Sequence, residues 1–365
     1  METTLPYGWY TDPEILRREQ ERIFRPAWQY AGHTGQLPDA GSAVGKADDA
    51  RREDRGASGA AGPGYFVTQV GRTPVVVTRD RDGVLRGFVN VCRHRGFTIA
   101  DGEQRRETLQ CPYHAWTYGL DGRLRAAPRS EEEPDFPQEE LGLVPVAVDT
   151  WGPFVFANAG REPEPLAQAL GSLPAQVAEL GLDVDSLTFH SRWQAEIEAN
   201  WKIVCENFLE CYHCQVAHPG FSEVIDVSPE AYVLSADGRL TTQHGPTRTA
   251  IPSGPLPRSQ FHFLWPNLEI NIFPGEPNIS IGPSYPLTPE RTYRFLDYFF
   301  GPDVEQAWID DLLAFDDQVG REDAMLVAGV QRGVSSGAIE RGVLMSRSEQ
   351  LIGHFQALTA AALAD

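Results

Sequence analysis

Cys92-Arg-His94-Arg-Gly96 and Cys111-Pro-Tyr-His114-Ala-Trp116 are the two segments that decide the fold of the first half of the chain. Each segment joins one cysteine to one histidine, and sixteen residues separate His94 from Cys111. Each also lies at the end of a short β-type run, where a loop can direct two side chains at one point. Thiolates and imidazoles are ligands of transition metals. The two segments therefore predict one metal site, made by two loops of a small all-β domain.

The alternation of the ligand types separates two kinds of metal site. A structural zinc site with two cysteines and two histidines usually groups like ligands together along the chain. Here each loop supplies one ligand of each type. In a Rieske [2Fe–2S] centre, one iron takes two cysteines and the other takes two histidines. Spacing and ligand chemistry favour the Rieske centre over the zinc site.

A second set of metal ligands lies within residues 200–219, where His213 and His218 are five residues apart. An ideal helix would turn these histidines about 140° away from each other. Pro219 breaks such a helix, because the residue before a proline is displaced from the α region. Glu210 precedes His213 by three residues, which on a helix places both on one face and lets the carboxylate hydrogen-bond the imidazole. The segment predicts a metal site with two histidines and a supporting glutamate.

The third ligand of this site must come from another element. Non-haem Fe(II) oxygenases use two histidines and one carboxylate, which leaves positions open for oxygen. An acid on an amphipathic helix usually belongs to its solvated face, so composition alone does not choose among the acids of the last third of the chain. The candidates lie along one helical stretch: Asp310, Asp311, Asp316, Asp317, Glu322 and Asp323.

The whole chain has the size and composition of a folded two-domain protein. Its 365 residues, 41% of them hydrophobic, can bury a sizeable core. Its 31 basic and 51 acidic residues give a net charge of −20, which disfavours nucleic acids and anionic membranes as partners. The sequence shows no signal-peptide core and no apolar run long enough to span a bilayer, and its five cysteines are too few for a disulfide scaffold. A cytoplasmic protein is expected.

Hydrophobic periodicity divides the chain into three parts. Residues 1–28 contain a capped helix at 12–24 and are expected to pack with the C-terminal domain. Residues 29–160 consist of short β-type runs, with a mobile polar insertion at 40–64. Residues 161–365 combine strands with helical patterns at 165–181, 200–214, 303–331 and 346–363. The predicted fold class is α+β: a small all-β domain, then a domain with helices on an antiparallel sheet.

Both ligand motifs occur in the order found in the Rieske non-haem iron oxygenases. The chain resembles the catalytic α subunit of that family from about Trp28 to the C-terminus, so the resemblance makes residues 29–160 the Rieske domain and 161–365 the mononuclear iron domain. It also implies the ligands of each centre. The cluster ligands would be Cys92, His94, Cys111 and His114, and the iron ligands would include His213 and His218.

The resemblance also suggests the third iron ligand. Glu322-Asp323-Ala-Met-Leu-Val-Ala-Gly-Val-Gln331-Arg-Gly333 is similar to the family's E-D-x-x-L-V-x-x-V-Q-x-G segment, which carries the carboxylate. Asp323 is therefore the ligand that the resemblance favours, while Asp316 and Asp317 stay open.

The segment around Glu210 resembles one branch of the family, the oxygenases that act on quaternary ammonium compounds such as carnitine, glycine betaine and stachydrine. Those enzymes have a glutamate at this position, where many aromatic-ring dioxygenases have an aspartate. The resemblance implies a homotrimer in which Glu210 bridges a cluster histidine of one subunit and an iron histidine of its neighbour. It implies O2-dependent hydroxylation or N-demethylation of a cationic small molecule. Since no G-x-G-x-x-G motif is present, the electrons would come from a separate NAD(P)H-dependent flavin/iron–sulfur reductase.

Two other functions stay open from the sequence. One is an aromatic-ring hydroxylating or demethylating oxygenase with the same metals, and the other is a non-catalytic electron carrier or zinc-stabilised binding protein. Aromatic faces can hold a quaternary ammonium group, although aromatic residues on strands more often fill the core. The aromatic candidates for such contacts are Tyr212, Phe261, Phe263, Trp265, Tyr285 and Tyr293.

Overall fold

The computed structural model describes residues 2–37, 62–248 and 254–364. Most of the insertion expected at 40–64 therefore lies outside the described residues, and its last residue, Gly64, begins a strand. The chain divides into two compact units, of which one is Arg25–Pro163 and the other joins Met1–Phe24 to Glu164–Asp365. These boundaries lie within four residues of those expected from the sequence.

Both units combine strands with helices as follows. The elements up to Asn158 are β1 (Glu2–Thr3), α1 (Pro13–Glu19), β2 (Gln29–His33), β3 (Gly64–Val70), β4 (Thr73–Arg79), β5 (Leu85–Val89), β6 (Glu103–Gln104), β7 (Thr108–Gln110), β8 (Thr117–Gly119), β9 (Leu124–Ala126), β10 (Pro145–Trp151) and β11 (Phe154–Asn158). The elements after it are α2 (Leu166–Leu170), α3 (Leu173–Glu179), β12 (Thr188–Ile197), α4 (Trp201–Phe208), α5 (Cys214–Ala217), α6 (Pro219–Val224), β13 (Val233–Asp237), β14 (Leu240–His244), β15 (Gln260–Leu264), β16 (Leu268–Ile272), β17 (Asn278–Thr288), β18 (Arg291–Phe300), α7 (Gln306–Ser335), β19 (Val343–Leu344) and α8 (Gln350–Leu363).

The unit Arg25–Pro163 is built on antiparallel strands in the order β2-β11-β10-β5-β4-β3-β6, beside a small sheet β7-β8-β9. Alternation along β4 shows that its sheet is buried on both faces. Val75 and Val77 belong to one apolar cluster, and Val76 belongs to another that contains Cys92 and Cys111. The two cysteines of the predicted metal site are thus part of one core of this unit.

The other unit has antiparallel strands in the order β12-β18-β17-β16-β15-β14-β13, combined with the long helices α7 and α8. The α+β fold class predicted from the sequence is confirmed. The predicted N-terminal helix is also confirmed. Asp12 caps α1 at the amide of Glu14, and the chain continues beyond Glu19 as one π-helical segment. The carboxylate of Glu19 accepts hydrogen bonds from Trp201 Nε1 (2.8 Å) and Lys202 Nζ (2.6 Å), which anchors the N-terminal segment to α4.

The helical pattern predicted over 200–214 does not form one helix. Asn200 caps α4 at the amide of Lys202, but α4 ends at Phe208 and α5 begins only at Cys214. A disulfide joins Cys211 and Cys214 across this interruption, a pairing that the sequence analysis did not predict. Glu210 and His213 therefore lie in a loop, and their proximity has another cause than a shared helical face.

Glu206 gives α4 a pH-dependent contribution to stability. Its carboxylate accepts hydrogen bonds from the Tyr10 hydroxyl (2.7 Å) and from Gln356 Nε2 (2.8 Å), and burial raises its pKa to about 7. Because the folded-state pKa lies above the unfolded value near 4.5, the contribution is complete below that value and is lost as the pH rises through about 7. The loss is on the order of 3 kcal/mol.

We expect Glu206→Gln to flatten this dependence, because an amide keeps the size and the acceptor oxygen but does not titrate. Urea unfolding at pH 4.5, 5.5, 6.5 and 7.5 measures the free energy of unfolding of both proteins. The variant should gain stability relative to the wild type across this range. Parallel curves for the two proteins would contradict the expectation.

Candidate active site

Three side chains from three elements converge in the unit that contains α7. His213 immediately precedes α5, His218 separates α5 from α6, and Asp323 lies in α7. His218 Nε2 is 3.1 Å from His213 Nε2 and 3.0 Å from Asp323 Oδ1, and His213 Nε2 is 3.5 Å from the same oxygen. Within the described residues, this is the one group of three or more His, Cys, Asp or Glu side chains whose ligand atoms all lie within 4.8 Å of one another.

Pro219 has the effect on His218 that the sequence predicted. His218 has φ −122° and ψ 70°, outside the helical region, and α6 begins at Pro219 itself. The chain direction changes at His218, so its imidazole turns back towards His213 across the four-residue helix α5.

A carboxylate supports each histidine from its other side. His213 Nδ1 donates to Glu210 Oε1, and His218 Nδ1 donates to Glu322 Oε2 at 2.7 Å. Glu210 also accepts the backbone N–H groups of Tyr212 and His213 with its second oxygen, which fixes it in the loop. With both Nδ1 atoms engaged, both Nε2 atoms face the common point, the arrangement usual for metal-binding histidines. The sequence did not reveal the role of Glu322, because no local spacing relates it to a histidine 104 residues away.

The charges around this point favour a bound cation. Burial lowers the pKa of His213, but hydrogen bonds to Asp323 and Glu210 outweigh it and raise that pKa to about 9. Burial also lowers the pKa of His218, and its bonds to Asp323 and Glu322 more than compensate. Burial alone would raise the pKa of Asp323, yet its contacts with both imidazoles hold it well below its ordinary value. A divalent metal ion can take the place of the shared protons in such a donor set.

The other acids considered as the third ligand have different partners. Asp316 accepts a hydrogen bond from the Tyr298 hydroxyl at 2.5 Å. Asp317 is bound by Arg321 one helical turn further along α7. Asp323 is thus the acid of α7 whose oxygen approaches both histidine Nε2 atoms.

A cavity with aromatic walls opens beside the three side chains. Of the six aromatic candidates from the sequence, only Phe261 lines it. Phe263, by contrast, packs in the core against Trp201 and Phe355. The sequence analysis missed the remaining aromatic wall residues, which are Trp193, Phe208, Phe221, Tyr232, Phe273 and Tyr298.

In the other unit, the two Cys-His loops have the same backbone geometry. The amide of Cys92 donates to the carbonyl of Phe97, and the amide of Cys111 donates to that of Trp116, both at 2.8 Å. The carbonyls of the two cysteines accept from Gly96 and Ala115, at 3.0 and 2.9 Å. Both residues have positive φ, 75° for Gly96 and 57° for Ala115. A left-handed alanine costs about 1–2 kcal/mol and is typical of a functional loop.

The loops bury their cysteines and expose their histidines. Cys92 and Cys111 have 3% and 2% of their surface exposed, whereas His94 and His114 are exposed with ring centroids 4.6 Å apart. The Tyr118 hydroxyl accepts from the amide of Arg93 and lies 3.4 Å from Cys92 Sγ, so its hydrogen can point at that sulfur. Sulfur ligands inside and imidazoles at the surface fit a Rieske cluster, whose irons take the two ligand types separately.

A single zinc ion fits this arrangement less well. Tetrahedral zinc with thiolate and imidazole ligands needs its donor atoms within about 4 Å of one another. In the described part of the chain, the four side chains of the two loops do not form such a group.

Comparison with known proteins identifies both units. Residues 57–145 match the Rieske [2Fe-2S] domain, and residues 184–365 match the catalytic domain of the ring hydroxylating alpha subunit. The carnitine monooxygenase oxygenase subunit of Escherichia coli (strain K12) is 32% identical over 376 residues, which cover 99% of this chain and 94% of that protein. The chain belongs to the Rieske oxygenase α subunits.

Further relatives of this Rieske oxygenase agree with the assignment. The chloroplastic choline monooxygenase of Spinacia oleracea is 30% identical over 367 residues, covering 96% of this chain and 76% of that protein. A crystal structure of a quaternary ammonium Rieske monooxygenase, described in terms of carnitine oxidation and inter-subunit electron transfer, superposes with a TM-score of 0.83. That protein is 29% identical, and the match covers 99% of this chain and 96% of that one. The predicted family is confirmed.

Family membership also establishes the cofactors. The oxygenase uses a Rieske [2Fe–2S] cluster, a mononuclear iron and O2, with electrons supplied by a reductase. The donor sets described above suit both metal centres. Among the helices that the structure describes, none has both the length and the apolar character required to cross a bilayer.

Proposed function

We propose that this oxygenase hydroxylates or N-demethylates a quaternary ammonium compound. The observation that carries the proposal is the cavity in which His213, His218 and Asp323 meet a wall of aromatic rings. A quaternary nitrogen has no N–H group, so aromatic faces can bind it where hydrogen-bond acceptors cannot. Relatives named for carnitine and for choline oxidation support the same substrate class.

We infer the ligands of both metal centres from the converging side chains. His213, His218 and Asp323 would hold the iron, and Glu210 and Glu322 would orient the two imidazoles. An Fe(II) ion with three protein ligands provides open positions for O2 beside a substrate. The cluster would be held by Cys92, His94, Cys111 and His114.

We also propose how electrons reach the iron. A separate NAD(P)H-dependent flavin/iron–sulfur reductase would reduce the cluster in the cytoplasm, where these cofactors are available. The chain would act as a homotrimer in which the cluster of one subunit serves the iron of its neighbour. Inter-subunit electron transfer is described for the related quaternary ammonium monooxygenase, and Glu210 beside His213 is the residue placed to bridge the two centres.

The substrate proposal predicts a selective response to trimethylammonium compounds. Carnitine, choline, glycine betaine and stachydrine, each with the reductase and O2, should raise NAD(P)H consumption more than any neutral aromatic compound. At least one of them should yield a hydroxylated or demethylated product by mass spectrometry. Turnover of aromatic acids alone would contradict the proposal and favour an aromatic-ring hydroxylating or demethylating oxygenase.

A further inference from the structure

Helix α7 places a second carboxylate in the cavity of the proposed iron site. Asp316 precedes Asp323 by seven residues, or nearly two full turns, so both lie on one face about 10.5 Å apart along the helix axis. Both side chains line the same cavity. The Tyr298 hydroxyl from β18 donates to Asp316 and holds its carboxylate in place.

The charged groups around this cavity are paired, with Asp316 as the exception. Arg294 is bound to the buried Glu269, and Asp317 is bound to Arg321. The carboxylates nearest the proposed iron site bind the two histidines. Within the described ranges, no basic side chain lies at ion-pair distance from Asp316.

An unpaired carboxylate in such a place needs an explanation. Burial raises the pKa of Asp316, which shows the cost of its charge, and the Tyr298 hydroxyl and the charge of Arg294 offset only part of it. An asparagine would accept the same hydrogen bond from Tyr298 without that cost. The carboxylate is therefore explained better by a cation that enters the cavity than by the packing of α7.

We propose that Asp316 is a specificity-determining residue that supplies the counter-charge to the quaternary nitrogen of the substrate. The inference rests on the proposed function. Tyr298 positions the carboxylate, and the aromatic face of Trp193, which lines the same cavity, borders the cation. A charge at this position discriminates between substrates that have the same shape and differ only in charge, which aromatic walls do less sharply.

Matched pairs of ligands test this discrimination. Choline and 3,3-dimethylbutan-1-ol have the same shape, as do γ-butyrobetaine and 5,5-dimethylhexanoate, and in each pair a carbon atom replaces the charged nitrogen. Titration calorimetry on the iron-loaded holoenzyme gives both dissociation constants and their ratio without a reductase. The pair whose cation binds the wild type more tightly is used for the variants.

We expect Asp316→Asn to weaken binding of the cation about thirtyfold and to leave the neutral analogue almost unchanged. Asp316→Glu should restore most of the preference, since it restores the charge. Asp310→Asn makes the same chemical change at an exposed position of α7 and should leave the ratio at its wild-type value. Iron content, measured for each variant, confirms that the neighbouring site is intact.

Three results would overturn the inference. Asp316→Asn with full iron content and an unchanged cation preference would show that the carboxylate does not face the ligand. If Asp316→Asn fails to fold, Tyr298→Phe frees the carboxylate from its hydrogen bond, and an unchanged preference in that variant would have the same meaning. A wild type that binds neither cation in preference to its neutral analogue would instead overturn the proposed function, and this inference with it.

Discussion

Purified His213→Ala should contain the iron–sulfur cluster without the mononuclear iron, and Cys92→Ser should contain the iron without the cluster. The wild type should hold three irons and two acid-labile sulfides per chain, from one [2Fe–2S] cluster and one iron. His213→Ala should hold two irons and two sulfides, and Cys92→Ser one iron and no sulfide. The changes are independent because the two ligand sets belong to different units of the chain. Product formation should be undetectable in both variants.

Metal analysis, sulfide determination and the visible spectrum of anaerobically purified protein check this expectation. His190→Ala and Cys205→Ser are matched controls, because His190 is an exposed histidine and Cys205 a buried free thiol, both outside the two ligand sets. Both controls should keep the wild-type metal content. Zinc in place of iron at both centres would refute the ligand assignment, as would the loss of both centres from either ligand variant while it stays folded.

The sequence was most informative where ligands are close together along the chain. The cysteine and histidine of each Rieske loop are two or three residues apart, so one turn decides their geometry, and both loops could be recognised directly. The same holds for His218, because its conformation follows from the proline next to it.

Glu210 shows how a correct contact can be predicted for a wrong reason. Spacing of three residues suggested a shared helical face with His213, but α4 ends at Phe208. The contact forms because Glu210 accepts two amides of the loop and so turns its other oxygen to His213. A carboxylate that caps a loop and one that lies on a helix have the same sequence spacing.

Contacts between distant elements could not be predicted. Glu322 reaches His218 only because α7 packs with one particular rotation and register. Phe261 and Phe263 point to the same face of β15, yet one lines the cavity and the other packs in the core with Trp201. Strand alternation determines the face of a residue, and the helices that cover that face determine where the cavity lies.

Glu210→Gln should keep both metal centres and a reducible cluster while single-turnover product formation falls by orders of magnitude. Glutamine has the size of glutamate but lacks the charge that strengthens its hydrogen bonds to imidazoles. Glu210 binds His213 and keeps 11% of its side chain exposed, so a histidine of another subunit can reach it. If the carboxylate bridges the two centres, its replacement interrupts electron transfer without displacing either metal.

Glu322→Gln is the matched comparison, because Glu322 supports His218 as Glu210 supports His213 but has no proposed bridging role. Loss of a residue that only orients a metal ligand typically costs about 10–100-fold in activity. We expect Glu322→Gln to stay within that range and Glu210→Gln to exceed it. Equal losses in the two variants would mean that Glu210 only orients the histidine of its own subunit.

Mixed oligomers test whether the electron crosses between subunits. Cys92→Ser chains lack a cluster and His213→Ala chains lack the iron, so each is inactive alone. Co-assembled trimers, isolated with two different affinity tags, would contain an intact cluster in one subunit beside an intact iron in the next. Because transfer from one subunit to its neighbour needs only that pair, activity should recover in the mixed trimers. It should be lost again when the iron-containing chain also has Glu210→Gln. No recovery in verified mixed trimers would place the transfer within one chain and remove the bridging role of Glu210.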